Sequence, residues 1–303
     1  MILQLLHHIL NLFTLSRRYH LWEWHDLPWV SNVLRSMLVT SLQYFWCSFP
    51  NEANCSATAL LPMLRRVTLQ CGTNDILDMC SGNGGPYPVL AKEFQRLGMS
   101  VVLSDLYPQD SWKEVSLKVP GGALKYISAP VDAMNLSKSQ SAGGSYRLDF
   151  AAGSHIRTFM CCFHHFTPEQ GVQLIQDAIR WRHGIVIVEA TPRSWPILIS
   201  AVLLHLFALF TCSLFMAPFG SKQWFQRVAL TFLVPVFPLM YVWDCAVSHL
   251  RCYTVEELKS MAAGCTGSSE YRWEVQVIHP LPFMPLVKLV AFVGVPILKS
   301  LKD

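Results

Sequence analysis

The chain has 303 residues, of which 52% are hydrophobic and 15% charged, with a formal net charge of +4 and a mean hydropathy of +0.31. That length suits one large domain or two small ones, and so low a charge content implies that part of the chain meets lipid. The small net charge, with no basic stripe interleaved with aromatics, excludes nucleic acid as the expected partner, and ten cysteines without CxxC pairs or regular spacing exclude a disulfide framework or zinc ribbon, pointing to reduced thiols facing a cytosolic compartment.

The opening stretch MILQLLHHILNLFTLSRRYH places Ile2, Leu5, Leu6, Ile9, Leu12 and Phe13 on one helical face, followed by Arg17 and Arg18. It lacks the basic start and small-residue cleavage site of a signal peptide, so an amphipathic helix on the core or at a membrane surface is expected. Residues 1–70 read as a helical lid or membrane-contact region rich in aromatics, among them Trp22, Trp24, Trp29, Tyr44, Phe45 and Trp46.

From Asp75 the pattern alternates. DILDMC reads as a buried strand, YPVLAKEFQRLG as a helix ended by Gly98, SVVLSD as a second strand and ALKYISA as a third. Residues 137–149 are Ser/Gly-rich and read as a loop. IRTFMCCFHHF reads as a fourth strand carrying Cys161 and Cys162, as DILDMC carries Cys80. The next segment is a helix with Thr167 as N-cap and Pro168 in its first turn, then GIVIVEA is a fifth strand. Strands alternating with helices imply a mostly parallel sheet covered on both faces.

The alternation stops at residue 195. Residues 196–219 carry no charge, and VALTFLVPVFPLMYVW follows Lys222 and Arg227, again uncharged. The second stretch is short and broken by Pro235 and Pro238, and a full crossing would strand Lys222 and Arg227 on the far side. The expectation over 195–245 is therefore an apolar helical hairpin that dips into one leaflet; a thick apolar lid or dimer face is the alternative. From 246 to 303 the pattern resumes, with a capping box at Thr254 and Glu257 opening a helix, then two strand-like runs.

The loop after the first strand sets Asp78, Cys80, Gly82 and Gly84 at alternate positions, and the second strand runs to Asp105. A dinucleotide would want three glycines and a free helix N-terminus; here GxGxxG is missing and Pro86 offers no N–H. The run resembles motif I of class I S-adenosylmethionine (SAM)-dependent methyltransferases, (D/E)xGxGxG, with Cys80 in place of the first glycine. Residues 75–194 and 246–303 are similar in order and spacing to that family, including the HH pair and the YTVEEL helix. The resemblance implies a Rossmann-like seven-stranded sheet, mostly parallel with an antiparallel last strand. It implies SAM as cofactor, with the loop on the amino-acid half, Asp105 on the ribose hydroxyls and Asp132 on the adenine amino group. The core is then 71–194, completed by 246–303.

His164 and His165 lie where doubly wound sheets bind ligands, and either is a candidate general base; ordering of the strand–helix turn is the alternative. Glu189 and Arg193, just past the fifth strand, are further pocket candidates. Asp244 interrupts an apolar run and needs a partner, either Arg251 or the substrate. Trp22, Trp24 and Trp29 with His25 form a substrate lid or anchor the N-terminal helices. No metal-ligand spacing is visible, and methyl transfer by positioning needs none. These features favour a membrane-associated methyltransferase acting on a hydrophobic small molecule or lipid. A nicotinamide-dependent oxidoreductase and an inactive SAM-binding membrane adaptor are the alternatives.

Overall fold

The computed structural model describes residues 13–47, 51–136, 155–190, 193–280 and 288–297. Two helices, α1 (Asn32–Cys47) and α2 (Ser56–Cys71), precede the first strand, β1 (Asp75–Met79). Then come α3 (Tyr87–Leu97), β2 (Ser100–Leu103), α4 (Ser111–Leu117), β3 (Leu124–Tyr126), β4 (Ile156–Met160), α5 (Pro168–Arg180) and β5 (Gly184–Ala190). The chain continues through α6 (Trp195–Cys212), α7 (Lys222–Val228), α8 (Val236–Arg251) and α9 (Val255–Ala263), and closes with β6 (Tyr271–Ile278) and β7 (Leu289–Pro296).

The strands form one seven-stranded sheet in the order β3-β2-β1-β4-β5-β7-β6. β1 to β5 pair in parallel, and β7 runs antiparallel to both β5 and β6. This is the Rossmann-like sheet with an antiparallel end that the sequence implies. Alternate side chains of the central strands feed two cores. Val186 and Val188 of β5 pack with Leu60, Leu64, Leu90 and Phe94 of α2 and α3. Ile185 and Ile187 face the other way, toward Leu174, Ile175 and Leu258 of α5 and α9. Both helices on that second face begin with a reciprocal capping box, Thr167–Gln170 and Thr254–Glu257. At the antiparallel end Gly294 faces Trp273, whose ring would lie 2.3 Å from an added Cβ. The glycine makes room for that indole to stack on Phe292 at 5.2 Å.

Several expectations change. The expected N-terminal helix falls largely on residues 1–12, which lie outside the described residues, as does the 137–149 loop. Residues 13–31 are irregular apart from a 3-10 turn at Trp24–Asp26, not helical. Their backbone is held across the fold instead: Thr14 bridges Ser194, and the Leu15 N–H donates to the Arg193 carbonyl. The fourth strand stops at Met160, so His164 and His165 sit on a 3-10 turn, Phe163–His165, beyond it. Cys80 and Cys161 lie just past the ends of β1 and β4, not inside them, both with φ of 55°. An apolar residue that turns the chain has the same hydropathy as one that extends it, so the sequence cannot mark this exit.

The apolar segment is less simple than a two-helix hairpin. Among the described residues no single helix is long and apolar enough to cross a membrane; one pair, Lys222–Leu233 and Val236–Arg251, passes by length and composition but is bent by 82°. Arg227 of that pair is buried and donates to the Ser41 hydroxyl and the Met37 carbonyl. The helix α8 also runs past residue 245, carrying Asp244 and Arg251 into the core side of the molecule. The opposite face of α6 is bare: Trp195, Ile199, Leu203 and Phe207, one turn apart, are all more than half exposed.

Candidate functional site

The C-terminal edge of the parallel strands carries two groups of polar side chains. The first lies over β1 and β2. Asp78, fully buried, is paired in register with Thr158 of β4, whose hydroxyl donates to Oδ1 at 2.7 Å and lies 2.7 Å from the Tyr87 hydroxyl. Its other oxygen, Oδ2, has no hydrogen-bond partner among the described residues. Burial pushes the Asp78 carboxyl up to about 7, against the lowering by the Ser81 and Thr158 hydroxyls.

Asp105 accepts the Gly82 N–H at Oδ2 and the Tyr107 N–H at Oδ1, both at 2.8 Å. Burial raises its pKa too. The Asp105 carbonyl accepts the Val131 N–H at 2.8 Å, so this strand end is flanked by the glycine loop on one side and the approach to Asp132 on the other. Asp132 caps a 3-10 turn, accepting from the Met134 N–H and the Asn135 amide. The loop itself needs its glycines: Gly84 sits at φ 103°, a backbone region closed to side chains, with Pro88 3.0 Å from an added Cβ. Cys80 takes a left-handed conformation without that freedom, and its thiol lies against that of Cys162. Trp112 of α4 props the loop by donating to the Gly82 carbonyl.

The second group is built where β4 and β5 end. His164 is buried; its Nδ1 lies 2.8 Å from Glu189 Oε2, and its own N–H donates to Glu189 Oε1 at 2.9 Å. Nε2 has no hydrogen-bond partner among the described residues and points toward Glu23 Oε1 at 3.7 Å. Burial opposes protonation of this imidazole, but the Glu189 and Glu23 carboxylates outweigh it and raise the pKa. Arg18 clamps the turn, donating to the carbonyls of His164 and Phe166 from above the Tyr253 ring.

His165 Nδ1 lies 3.1 Å from Asp26 Oδ1, and His25 Nδ1 3.1 Å from Asp244 Oδ2. Asp244 also accepts the Trp24 N–H at 2.7 Å. Its partner is therefore the N-terminal segment, not Arg251; that guanidinium binds Glu23 and Asp26 instead. Two turns of α8 separate Asp244 from Arg251, about 10 Å along the axis, too far for a direct pair. Carboxylates on several sides raise His25 to about 9 despite its burial. Arg193 is not a pocket residue. All its donors are engaged, bidentate to Glu257 and to the carbonyls of Leu15, Ser16 and Cys252.

Next to Asp244 and Trp24 opens a cavity of about 550 Å³ lined by Trp22, Trp24, Trp29, Leu34, Leu239 and Trp243, among others. The rings brace one another, with Trp22–Trp24 at 4.7 Å edge to face and Trp22–Trp243 at 4.9 Å.

Thr158, Tyr87, Arg18 and the Glu23–Arg251 pair were not marked as site residues by any motif. Only the capping of Asp78 by a β4 hydroxyl has a sequence signal, a threonine inside an apolar strand.

No family model and no curated protein matches the sequence. Solved structures with similar folds include an O-methyltransferase family protein from Burkholderia thailandensis, 11% identical, covering 83% of this chain at a TM-score of 0.45; the chain spans 59% of that protein. A SAH-bound methyltransferase from Podospora anserina is 12% identical, covering 87% of this chain and 88% of its own at 0.35. A putative zinc-dependent alcohol dehydrogenase from Rhodobacter sphaeroides is 9% identical, covering 87% and 98% at 0.42.

Proposed function

We propose that the protein is a SAM-dependent methyltransferase that modifies a lipophilic acceptor at a membrane surface. One observation carries the reading. Two buried acid–base atoms with no hydrogen-bond partner among the described residues, Asp78 Oδ2 and His164 Nε2, stand at the C-terminal ends of neighbouring strands. The first suits a ligand cation, the second a proton donor.

The residues fit the cofactor. Asp78 Oδ2 offers a negative charge for the ammonium of its amino-acid half. Asp105 keeps lone pairs beyond the amides it accepts, available to ribose donors, and Asp132 offers a carboxylate toward the adenine amino group. The small-residue loop allows close approach of the backbone. When bound, SAM supplies an electrophilic methyl group on a sulfonium. The chain's own part is to align the acceptor, take its proton at His164 Nε2 and exclude water. Glu189 fixes the imidazole with Nε2 turned away from it, toward Glu23, and makes it a stronger base.

Isothermal titration with SAM and SAH tests cofactor binding. Incubation with methyl-labelled SAM and fractionated lipid extracts tests transfer, with label expected in the organic phase. Folded protein that binds neither SAM nor SAH, or that retains NAD(H) instead, ends this reading.

The apolar setting supports a lipophilic acceptor. The tryptophan-lined cavity lies within the usual size for a small ligand, roughly 300–1,000 Å³. Leu239 of its lining, and Phe207, Phe215, Phe219 and Leu233 of the same apolar segment, are more than two thirds exposed, apolar surface suited to one leaflet. The protein is expected to float with phosphatidylcholine–phosphatidylglycerol vesicles, and F215E/F219E to stay behind with SAM affinity unchanged. Wild-type protein remaining with the soluble fraction would remove the membrane from this proposal.

A further inference from the structure

Glu23, His25 and His165 come from two segments some 140 positions apart, yet one ligand atom from each falls within 4.8 Å of the others. Glu23 Oε2 is the shared corner. It lies 3.6 Å from His25 Nδ1 and 3.9 Å from His165 Nε2. With bonds of about 2.1 Å, donor atoms around a tetrahedral ion stand about 3.4 Å apart, so the two edges that meet at Glu23 Oε2 would close by a few tenths of an ångström.

Three features separate this corner from an ordinary ion-pair cluster. First, Glu23 is wholly buried, and Oε2 has no hydrogen-bond partner among the described residues. Its sister oxygen is used by Arg251, at 3.0 Å. A carboxylate left half-satisfied in the interior is costly unless something else comes to it. Second, His165 has a carboxylate, Asp26, 3.1 Å from Nδ1, the ring nitrogen other than the one that faces the corner, while on His25 the nitrogen that faces the corner lies 3.1 Å from Asp244. An outer carboxylate placed as Asp26 is orients the ring of a metal-bound histidine and raises its basicity. Third, three carboxylates, Glu23, Asp26 and Asp244, face the corner, and Arg251 is the one guanidinium that contacts it among the described residues. His25 and His165 are each about a fifth exposed, at 23% and 22%, which leaves an entry path from solvent.

The geometry points to a binding site for a first-row divalent transition-metal ion, held by Glu23, His25 and His165 with Asp26 as an outer partner of His165. Two imidazoles and one carboxylate suit Fe²⁺, Co²⁺, Mn²⁺ or Zn²⁺ better than Mg²⁺, which prefers oxygen. The three protein ligands leave positions open for water or an acceptor oxygen. The site adjoins His164, whose Nε2 lies 3.7 Å from Glu23 Oε1. An acceptor hydroxyl bound to the ion would be made more acidic beside that base. A second buried group, His164, Glu189 and Cys252, competes for the assignment. It is disfavoured because both carboxylate oxygens already serve His164.

The test needs neither SAM nor turnover. Untagged full-length protein is stripped with chelator and titrated with Co²⁺ alone. Uptake of about one ion per chain is expected, with a visible spectrum of nitrogen and oxygen ligands and no thiolate charge-transfer band. H165Q should bind at least about tenfold more weakly, and D26N about 10–100-fold more weakly as an outer-partner effect. E23Q should lose the ion; because Glu23 is buried against Arg251, its fold is verified by circular dichroism, and H165Q, at a partly exposed residue, carries the conclusion if E23Q fails to fold. No Co²⁺ or Zn²⁺ uptake by wild type at ~100 times the protein concentration, unchanged affinity in H165Q, or a thiolate band lost in C252S would each overturn the assignment.

Discussion

Asp78→Asn is expected to weaken SAM binding by about 10–100-fold while making the folded chain less sensitive to pH. The affinity loss follows from removing a charge-assisted bond from a buried anion to the cofactor's ammonium, about 1.5–3 kcal/mol. The stability effect has the opposite sign. The ordinary carboxyl value is 3.8, and burial lifts Asp78 to about 7. Between those values the unfolded chain has released this proton and the native chain still holds it. Native stability therefore falls as pH rises through that window and levels off above 7, with a penalty on the order of 4 kcal/mol at about 1.4 kcal/mol per unit. Asparagine keeps the acceptor for Thr158 and removes the titration. The melting temperature of D78N should thus gain on wild type from pH 4 to 7 and hold a constant lead above it. Wild-type affinity for SAM should strengthen over the same window as the carboxylate forms, and the variant's should not. Titration calorimetry and thermal melts at half-unit steps check both halves. Equal SAM affinity in the variant would remove Asp78 from the cofactor site. A flat melting difference would mean that the buried carboxyl is not raised.

The sequence carries the sheet and the position of Asp78 and Asp105 at one edge of it because both are written locally. GIVIVEA reads as a buried strand because its hydropathy has no second face, and it spans Gly184–Ala190 as a strand. Asp78 and Asp105 are legible because a strand followed by small residues fixes which end meets a ligand. The acid–base cluster is a different case. Its members come from residues 18–26, 164–165, 189 and 244–252, and no periodicity connects them. Asp244 shows the limit well. An aspartate in an apolar run announces that it needs a partner, and the nearest basic residue along the helix is Arg251. The partner is His25, 219 positions away. The histidine pair is legible as a candidate but its geometry is not: whether the fourth strand ends at Met160 or runs to the pair depends on the φ of 55° at Cys161, which hydropathy does not encode. The irregular stretch from 13 to 31 was misread for a related reason. Its aromatic residues pack by side-chain contact, and apart from the bonds of short turns its backbone groups bond to distant partners, Arg193, Leu250 and Asp244.

His164→Gln is expected to lower kcat by about 10²–10⁴-fold, the usual share of a positioned base, while leaving SAM affinity within twofold. Glutamine keeps a donor toward Glu189 but offers no basic nitrogen where Nε2 stands. Glu189 acts one step back. It holds the ring through both the Nδ1 contact and the His164 N–H, and it adds the charge that raises the imidazole. Glu189→Gln retains hydrogen-bonding capacity but lacks that charge, so a smaller fall in kcat with KM unchanged is expected. H164Q/E189Q should be no slower than H164Q, because a carboxylate that works through the imidazole has nothing left to act on once the imidazole is gone. Steady-state rates with an acceptor found in the lipid fractions, alongside calorimetric SAM affinities, decide the matter. H164Q at near wild-type kcat would return the histidine to an ordering role in the turn. Additive losses in the double variant would give Glu189 its own contact with the acceptor.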